Sequence, residues 1–290
     1  MKLKRFGLVL LAALFLFIGY VNVTMVAVDL NRQFKPSYAR ADLSGLLKQT
    51  ALSAADYELI FEQTGLGKPA IDDLRSMPDY ERRVLSAQDD FFKPDPVDCL
   101  NIGIITRQDT IVGADGNPAF GFVIAPLRNG DILISFAQHS LGWRHGHAGM
   151  VVDAPRNQAL EALELGLDTA IFDDSRWRIY PTFVVLRARG VPQSTLDQIA
   201  AFAAQNMIGK PYALFTGIWP GKIPVGGKVA GTQCAHVVWY PYKRFGIDID
   251  PGGDWLIAPV DILRSGLFDI VQVYGLDPVQ TEKMAGGLRP

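Results

Sequence analysis

Cys234 lies in Gly231-Thr232-Gln233-Cys234-Ala235-His236-Val237-Val238-Trp239-Tyr240, where a glycine-led turn runs into an apolar segment of helix length. The sulfur is therefore expected in the first turn of a helix. Unpaired N–H groups and the positive end of the helix dipole favour a thiolate there. A matching base is His147, at the head of the strand-like run Gly146-His147-Ala148-Gly149-Met150-Val151-Val152-Asp153. A thiol at a helix start and a histidine on a strand are the minimum equipment for a cysteine nucleophile.

Other chemistry competes for the same residues. Cys99 and Cys234 are the only cysteines, and in an oxidising compartment they can form a disulfide, leaving an inactive scaffold. A cysteine in an apolar helix can also be plain core. The histidines are His139, His145, His147 and His236. His145 and His147 form an H-x-H pair, but with one distant thiol this lacks the ligand spacing of a zinc site. No metal or cofactor is expected.

Composition narrows the function classes. The 290 residues are 49% hydrophobic, enough for a packed core, and carry a net charge of −2 with acids and bases interspersed. That gives no basic footprint for nucleic acid. Gly65-Leu66-Gly67-Lys68 lacks the spacing of a phosphate-cradling loop, and no G-x-G-x-x-G follows a strand. Nucleotide chemistry is not expected.

The N-terminus carries Lys2, Lys4 and Arg5 before an apolar run from Phe6 to Val28. The run exceeds the about 20 residues that a bilayer core requires, whereas a secretory signal has a shorter apolar region of about 7–15 residues. Met25-Val26-Ala27 offers a poor cleavage site. Residues 1–28 thus read as an uncleaved membrane anchor, with a signal peptide as the alternative. Basic residues stay inside, so the rest of the chain is expected on the extracytoplasmic face of a bacterial cell envelope.

The elements that must position the thiol and the base follow. Residues 29–125 read as helices plus a hairpin. Ser53 caps a helix stopped by Gly65 and Gly67, and Pro69 opens another. Ile102 to Thr106 and Ala119 to Ile124, flanking Gly113-Ala114-Asp115-Gly116-Asn117-Pro118, signal the hairpin. From residue 126, short strands are expected at 130–135, 148–152, 159–163, 169–172 and 182–186. A helix is expected between Ser194 and Met207, then the Cys234 helix to about Phe245, then a strand from Ile270 to Tyr274. Residues 276–290 read as a C-terminal tail. A β-meander with helices beside it is an α+β layout.

Five segments together resemble a known family. They are Gly130-Asp131-Ile132, Gly146 to Val152, Ile208-Gly209-Lys210-Pro211-Tyr212, the Cys234 helix, and Tyr242 to Asp250 followed by Pro259-Val260-Asp261-Ile262-Leu263. Over about residues 126–275 the chain is similar to the circularly permuted NlpC-type papain-like cysteine hydrolases, the YiiX and YaeF branch, related to lecithin retinol acyltransferase. The permuted order puts the histidine strand before the cysteine helix. The resemblance implies a thiol nucleophile at Cys234, a base at His147 and a third polar residue opening the next strand. Glu161, before Ala162, fits that place, with Glu164 as the alternative if the register differs. It also implies a tyrosine near the oxyanion, matched by Tyr212. Trp143 and Trp219 are candidates to line the substrate groove. The expected activity is hydrolysis of an amide in cell-wall peptide through a thioacyl-enzyme. The alternative is acyl hydrolysis or transfer on a membrane lipid or lipoprotein. Residues 29–125 lie outside the resemblance.

Overall fold

The computed structural model describes residues 2–30, 32–103, 105–213, 229–250, 252 and 256–286. Helix α1 (Lys2–Leu30) contains an 18-residue window, Leu10–Ala27, of mean hydropathy 2.2, and is long and apolar enough to cross a membrane. Near its end, the Thr24 hydroxyl lies 3.3 Å from the Leu141 carbonyl.

Four helices follow, α2 (Ser44–Leu47), α3 (Ala54–Thr64), α4 (Lys68–Arg75) and α5 (Tyr80–Phe92). Ser53 starts α3 with a capping box: its backbone N–H donates to Asp56 at 2.7 Å while its hydroxyl accepts from the Asp56 N–H. Gly65, at φ +70°, turns the chain out of the helix. Pro69 fits the first turn of α4, where its missing N–H costs nothing.

The strands are β1 (Val97–Asn101), β2 (Thr106–Ile111), β3 (Ile132–Ser135), β4 (Gln138–Ser140), β5 (Trp143–Arg144), β6 (His147–Asp153), β7 (Gln158–Glu161), β8 (Ala170–Asp173) and β9 (Phe183–Ala188). Then come α6 (Gln193–Asn206), α7 (Cys234–Arg244), α8 (Pro259–Arg264), β10 (Phe268–Tyr274) and α9 (Pro278–Met284). Two antiparallel sheets form, β1-β2-β4-β5 and β10-β9-β3-β6-β7-β8. The fold class is α+β, with the larger sheet packed against α7.

Strand alternation divides the core in two. Ile134, Met150, Val184 and Leu160 face α6 and α7, burying Ile199, Ala203, Val237 and Val238. Leu133, Val151, Val185 and Val271 face the other way, against Ile60, Ile71 and Val84 of the N-terminal helices. Helices therefore cover both faces. Arg187 on β9 ties the layers together, donating to Asp131 at 2.7 and 2.8 Å and to Asp73 of α4 at 2.8 Å.

Three sequence expectations change. The hairpin is β1–β2, so Ile102 and Gly103 lie past the end of β1, and Thr106 opens β2 instead of closing a strand begun at Ile102. The 113–118 turn exists, closed by a single Val112–Pro118 bridge. Ala119 to Ile124, however, has no partner strand among the described residues. The Gly121 N–H bonds the Arg178 carbonyl, and the Gln272 side chain takes the Val123 carbonyl and the Ala125 N–H. Phe122 meanwhile fills the core, stacked on Tyr274 at 4.1 Å. Backbone satisfaction by a loop and a side chain substitutes for a ladder. The 276–290 segment also holds a helix, α9, capped by Asp277.

Candidate active site

Cys234 is the first residue of α7 and is buried. Gln233 is its N-cap: its side-chain oxygen accepts from the Ala235 N–H at 2.8 Å, and its amide donates to the Ile257 carbonyl at 2.8 Å. The cap engages Ala235 rather than Cys234, so the sulfur sits at a helix start with its own N–H outside the cap. His236, two residues on, bonds the Thr232 hydroxyl at 2.9 Å, which commits that ring to structure.

His147 is the first residue of β6, set by Gly146 at φ +74°, a conformation that L side chains rarely adopt. On β7, Glu161 pairs in register with Gly149. Its carboxylate reaches diagonally to His147, with Nε2 to Oε2 at 2.7 Å. A carboxylate accepts only, so Nε2 carries the proton and Nδ1 is the nitrogen left for the sulfur. A Cβ on Gly149 would lie 2.9 Å from the Trp177 ring and 3.0 Å from the Glu161 side chain. The glycine clears the path between acid and base.

Burial alone would drive the charge off His147. Hydrogen bonds with Cys234 and Glu161 outweigh it and raise the imidazole to about 9. Trp177, fully buried, stacks on the His147 ring at 5.1 Å and 16° and donates Nε1–H to Glu161 at 3.1 Å. Arg176 stands 3.4 Å from the same carboxylate. Trp177 and Arg176 come from a 3-10 turn after β8. Nothing in the spacing of the sequence places that turn beside His147.

The other residues named from sequence are spread more widely. Glu164 is exposed in the turn after β7, beyond the strand, because β7 ends at Glu161. Tyr212 pairs with Thr232, two residues before Cys234. Burial, then the Cys234 charge, pushes its hydroxyl above the ordinary tyrosine range, so it remains a proton donor. Trp143 is 61% exposed on β5, edge-on to His145 at 5.6 Å. Trp219 lies outside the described residues. Cys99 and Cys234 are not joined by a disulfide, contrary to the scaffold alternative. His145 is taken by the Ser140 hydroxyl and the Gly146 carbonyl, which dissolves the H-x-H metal pair.

A second thiol, acid and imidazole lie close together. Cys99, Asp109 and His139 bring one donor atom each within 4.8 Å of one another. Such proximity is compatible with a cysteine hydrolase, but both the sulfur, at 3.6 Å, and Asp109 Oδ1, at 3.7 Å, approach the same nitrogen, Nε2. A triad needs them on opposite nitrogens.

No family model matches this sequence, and no curated protein matches it. Among solved structures the chain is similar to the metalloprotein YiiX from Escherichia coli O157:H7, at 20% identity and a TM-score of 0.34, over 43% of this chain and 70% of that one. A likeness that slight leaves the chemistry to be argued from this molecule's own residues.

Proposed function

We propose that the chain is an extracytoplasmic cysteine hydrolase in which Cys234 is the nucleophile, His147 the base and Glu161 the group that orients it. The observation that carries this reading is His147, bonded to Glu161 at 2.7 Å on one side and to a sulfur at a helix start on the other, an arrangement that favours the imidazolium. An imidazolium beside a thiol favours the thiolate. The sulfur attacks the carbonyl carbon, and the oxyanion is held by the Cys234 N–H and the Tyr212 hydroxyl. Donors of this kind contribute about 3–4 kcal/mol each. His147 then gives its Nδ1 proton to the leaving nitrogen or oxygen as that bond breaks, leaving a thioacyl-enzyme. Water attacks next, its proton returns to Nδ1, and the acid departs. The amide of cell-wall peptide is the proposed substrate class.

One observation favours a second substrate class. The Leu141–Gly142 turn touches the end of α1 through Thr24, and Trp143 beside it is exposed. An aromatic residue next to a membrane helix suits a lipid or lipoprotein acyl group.

A thiol-directed probe followed by mass mapping tests the reading, with cell-wall digests and lipid extracts as competitors. Cys234 should carry the adduct and should alkylate at pH 6 faster than a free cysteine. His147→Ala should slow it strongly. Equal rates in the two proteins would remove the catalytic reading, and the extract that protects Cys234 identifies the substrate class.

A further inference from the structure

The cluster of Cys99, Asp109 and His139 has a geometry that hydrogen bonding leaves unexplained. Cys99 on β1 pairs in register with Asp109 on β2, and Arg107, two residues earlier, pairs with His139 on β4. Alternation then puts Cys99, Asp109 and His139 on one face of three neighbouring strands. His139 and the Asp109 carboxylate are fully buried. Asp109 Oδ1 makes no hydrogen bond of normal length; it stands 3.7 Å from His139 Nε2 and 3.5 Å from Arg32 Nε. Nε2 can direct one proton or one lone pair along one line, so it cannot serve sulfur and oxygen together.

We propose that Cys99, His139 and Asp109 form a three-ligand site for a thiophilic divalent cation of the zinc class. Ligand bonds of about 2.0–2.3 Å imply tetrahedral edges near 3.3–3.7 Å. The observed separations of 3.6 Å for sulfur to nitrogen and 3.7 Å for nitrogen to oxygen are of that size. A mixed S, N, O donor set selects zinc over magnesium or calcium. Arg144 donates to the other carboxylate oxygen, Oδ2, at 2.8 Å and fixes its orientation, as outer-shell partners do. Arg32 Nε stands 3.5 Å from Oδ1. These two guanidiniums offset the thiolate and the carboxylate, so the fourth position favours an anionic ligand such as hydroxide. The site would staple β1, β2 and β4, and its three ligands are not residues of the proposed Cys234 triad.

The test uses the full chain carrying Cys234→Ala, in detergent, stripped with a chelator and then titrated with Co2+ and Zn2+. Cys99 is then the only thiol. Cobalt should give a sulfur-to-metal charge-transfer band that one equivalent of zinc abolishes. Saturating zinc should slow Cys99 alkylation by roughly tenfold or more, since a bound thiolate is no longer a free nucleophile. The absence of the band, or an alkylation rate that zinc does not change, overturns the site. Neither readout needs a variant at the three ligands, and an unfolding temperature matching that of the parent chain shows that Cys234→Ala and the chelator leave the fold intact.

Discussion

His147 is a buried imidazole whose hydrogen bonds with Cys234 and Glu161 outweigh its desolvation and favour the protonated form. With a value of about 9, deprotonation sets the alkaline limb of the proposed hydrolysis, and activity against an activated ester should fall as pH rises through about 9. Glu161→Gln removes the charge that helps hold the proton. The limb should then move to lower pH and turnover should drop by about 10²-fold or more, while Glu164→Gln leaves both unchanged. Trp177→Phe is the finer probe. It keeps the stacked ring but deletes the N–H to Glu161, a bond to a charged group worth about 1.5–3 kcal/mol. Its limb should move in the same direction as that of Glu161→Gln and by less. Unmoved limbs in both variants would show that the carboxylate does not govern the imidazole.

Among the elements, α7 and the β6–β7 pair do the positioning, and each has a residue on which the arrangement turns. Gly149→Ala puts a methyl group against Trp177 and Glu161. Overpacking of that kind costs about 1–3 kcal/mol, visible as a lower unfolding temperature together with lost activity. Much of this was legible in the sequence. The period of the 193–206 helix, the glycine-led start of α7 and the strands around His147 follow from patterning and punctuation. Glu161 came from the family resemblance instead, and the choice over Glu164 needed the observed end of β7 at Glu161. Two kinds of information were not legible. Trp177 arrives from a 3-10 turn whose approach depends on tertiary packing. Residues 119–124 look like a strand because Phe122 and its neighbours are apolar, but their backbone bonds go to Gln272 and Arg178, far away in sequence.

Across the whole molecule, two networks set the response to pH and to mutation. His147 has its folded value raised above the unfolded 6.5. Its stabilising contribution is therefore complete below about pH 6.5 and is lost as pH rises through about 9. Urea unfolding at pH 6.5 and at pH 9.5 should show the folded state weakening over that window. Arg187 joins β9 to Asp131 and to Asp73 on α4, locking the N-terminal helices to the sheet. Arg187→Met strands a buried carboxylate and should cost about 3–5 kcal/mol, measured by the same unfolding. A loss below about 1 kcal/mol would mean the layers are held by apolar packing alone.

The way β10 is bordered has a consequence for how the protein comes into being. Its outer edge is covered by residues 65–67, where the Gly67 N–H bonds the Val271 carbonyl, the Val273 N–H bonds the Gly65 carbonyl, and Leu66 bridges Gln272. Nearby, the Phe34 N–H bonds the Gly275 carbonyl. Early and late stretches of the chain thus complete one another. A polypeptide delivered N-terminus first leaves its early helices without their sheet until the last strand emerges. Closing so long a loop is slow, and until then an apolar surface and an open strand edge are exposed to whatever else is nearby. Assembly of the sheet that holds His147 therefore waits on the synthesis of β10, so a chain cut short before residue 268 should yield no working thiol rather than a weakened one.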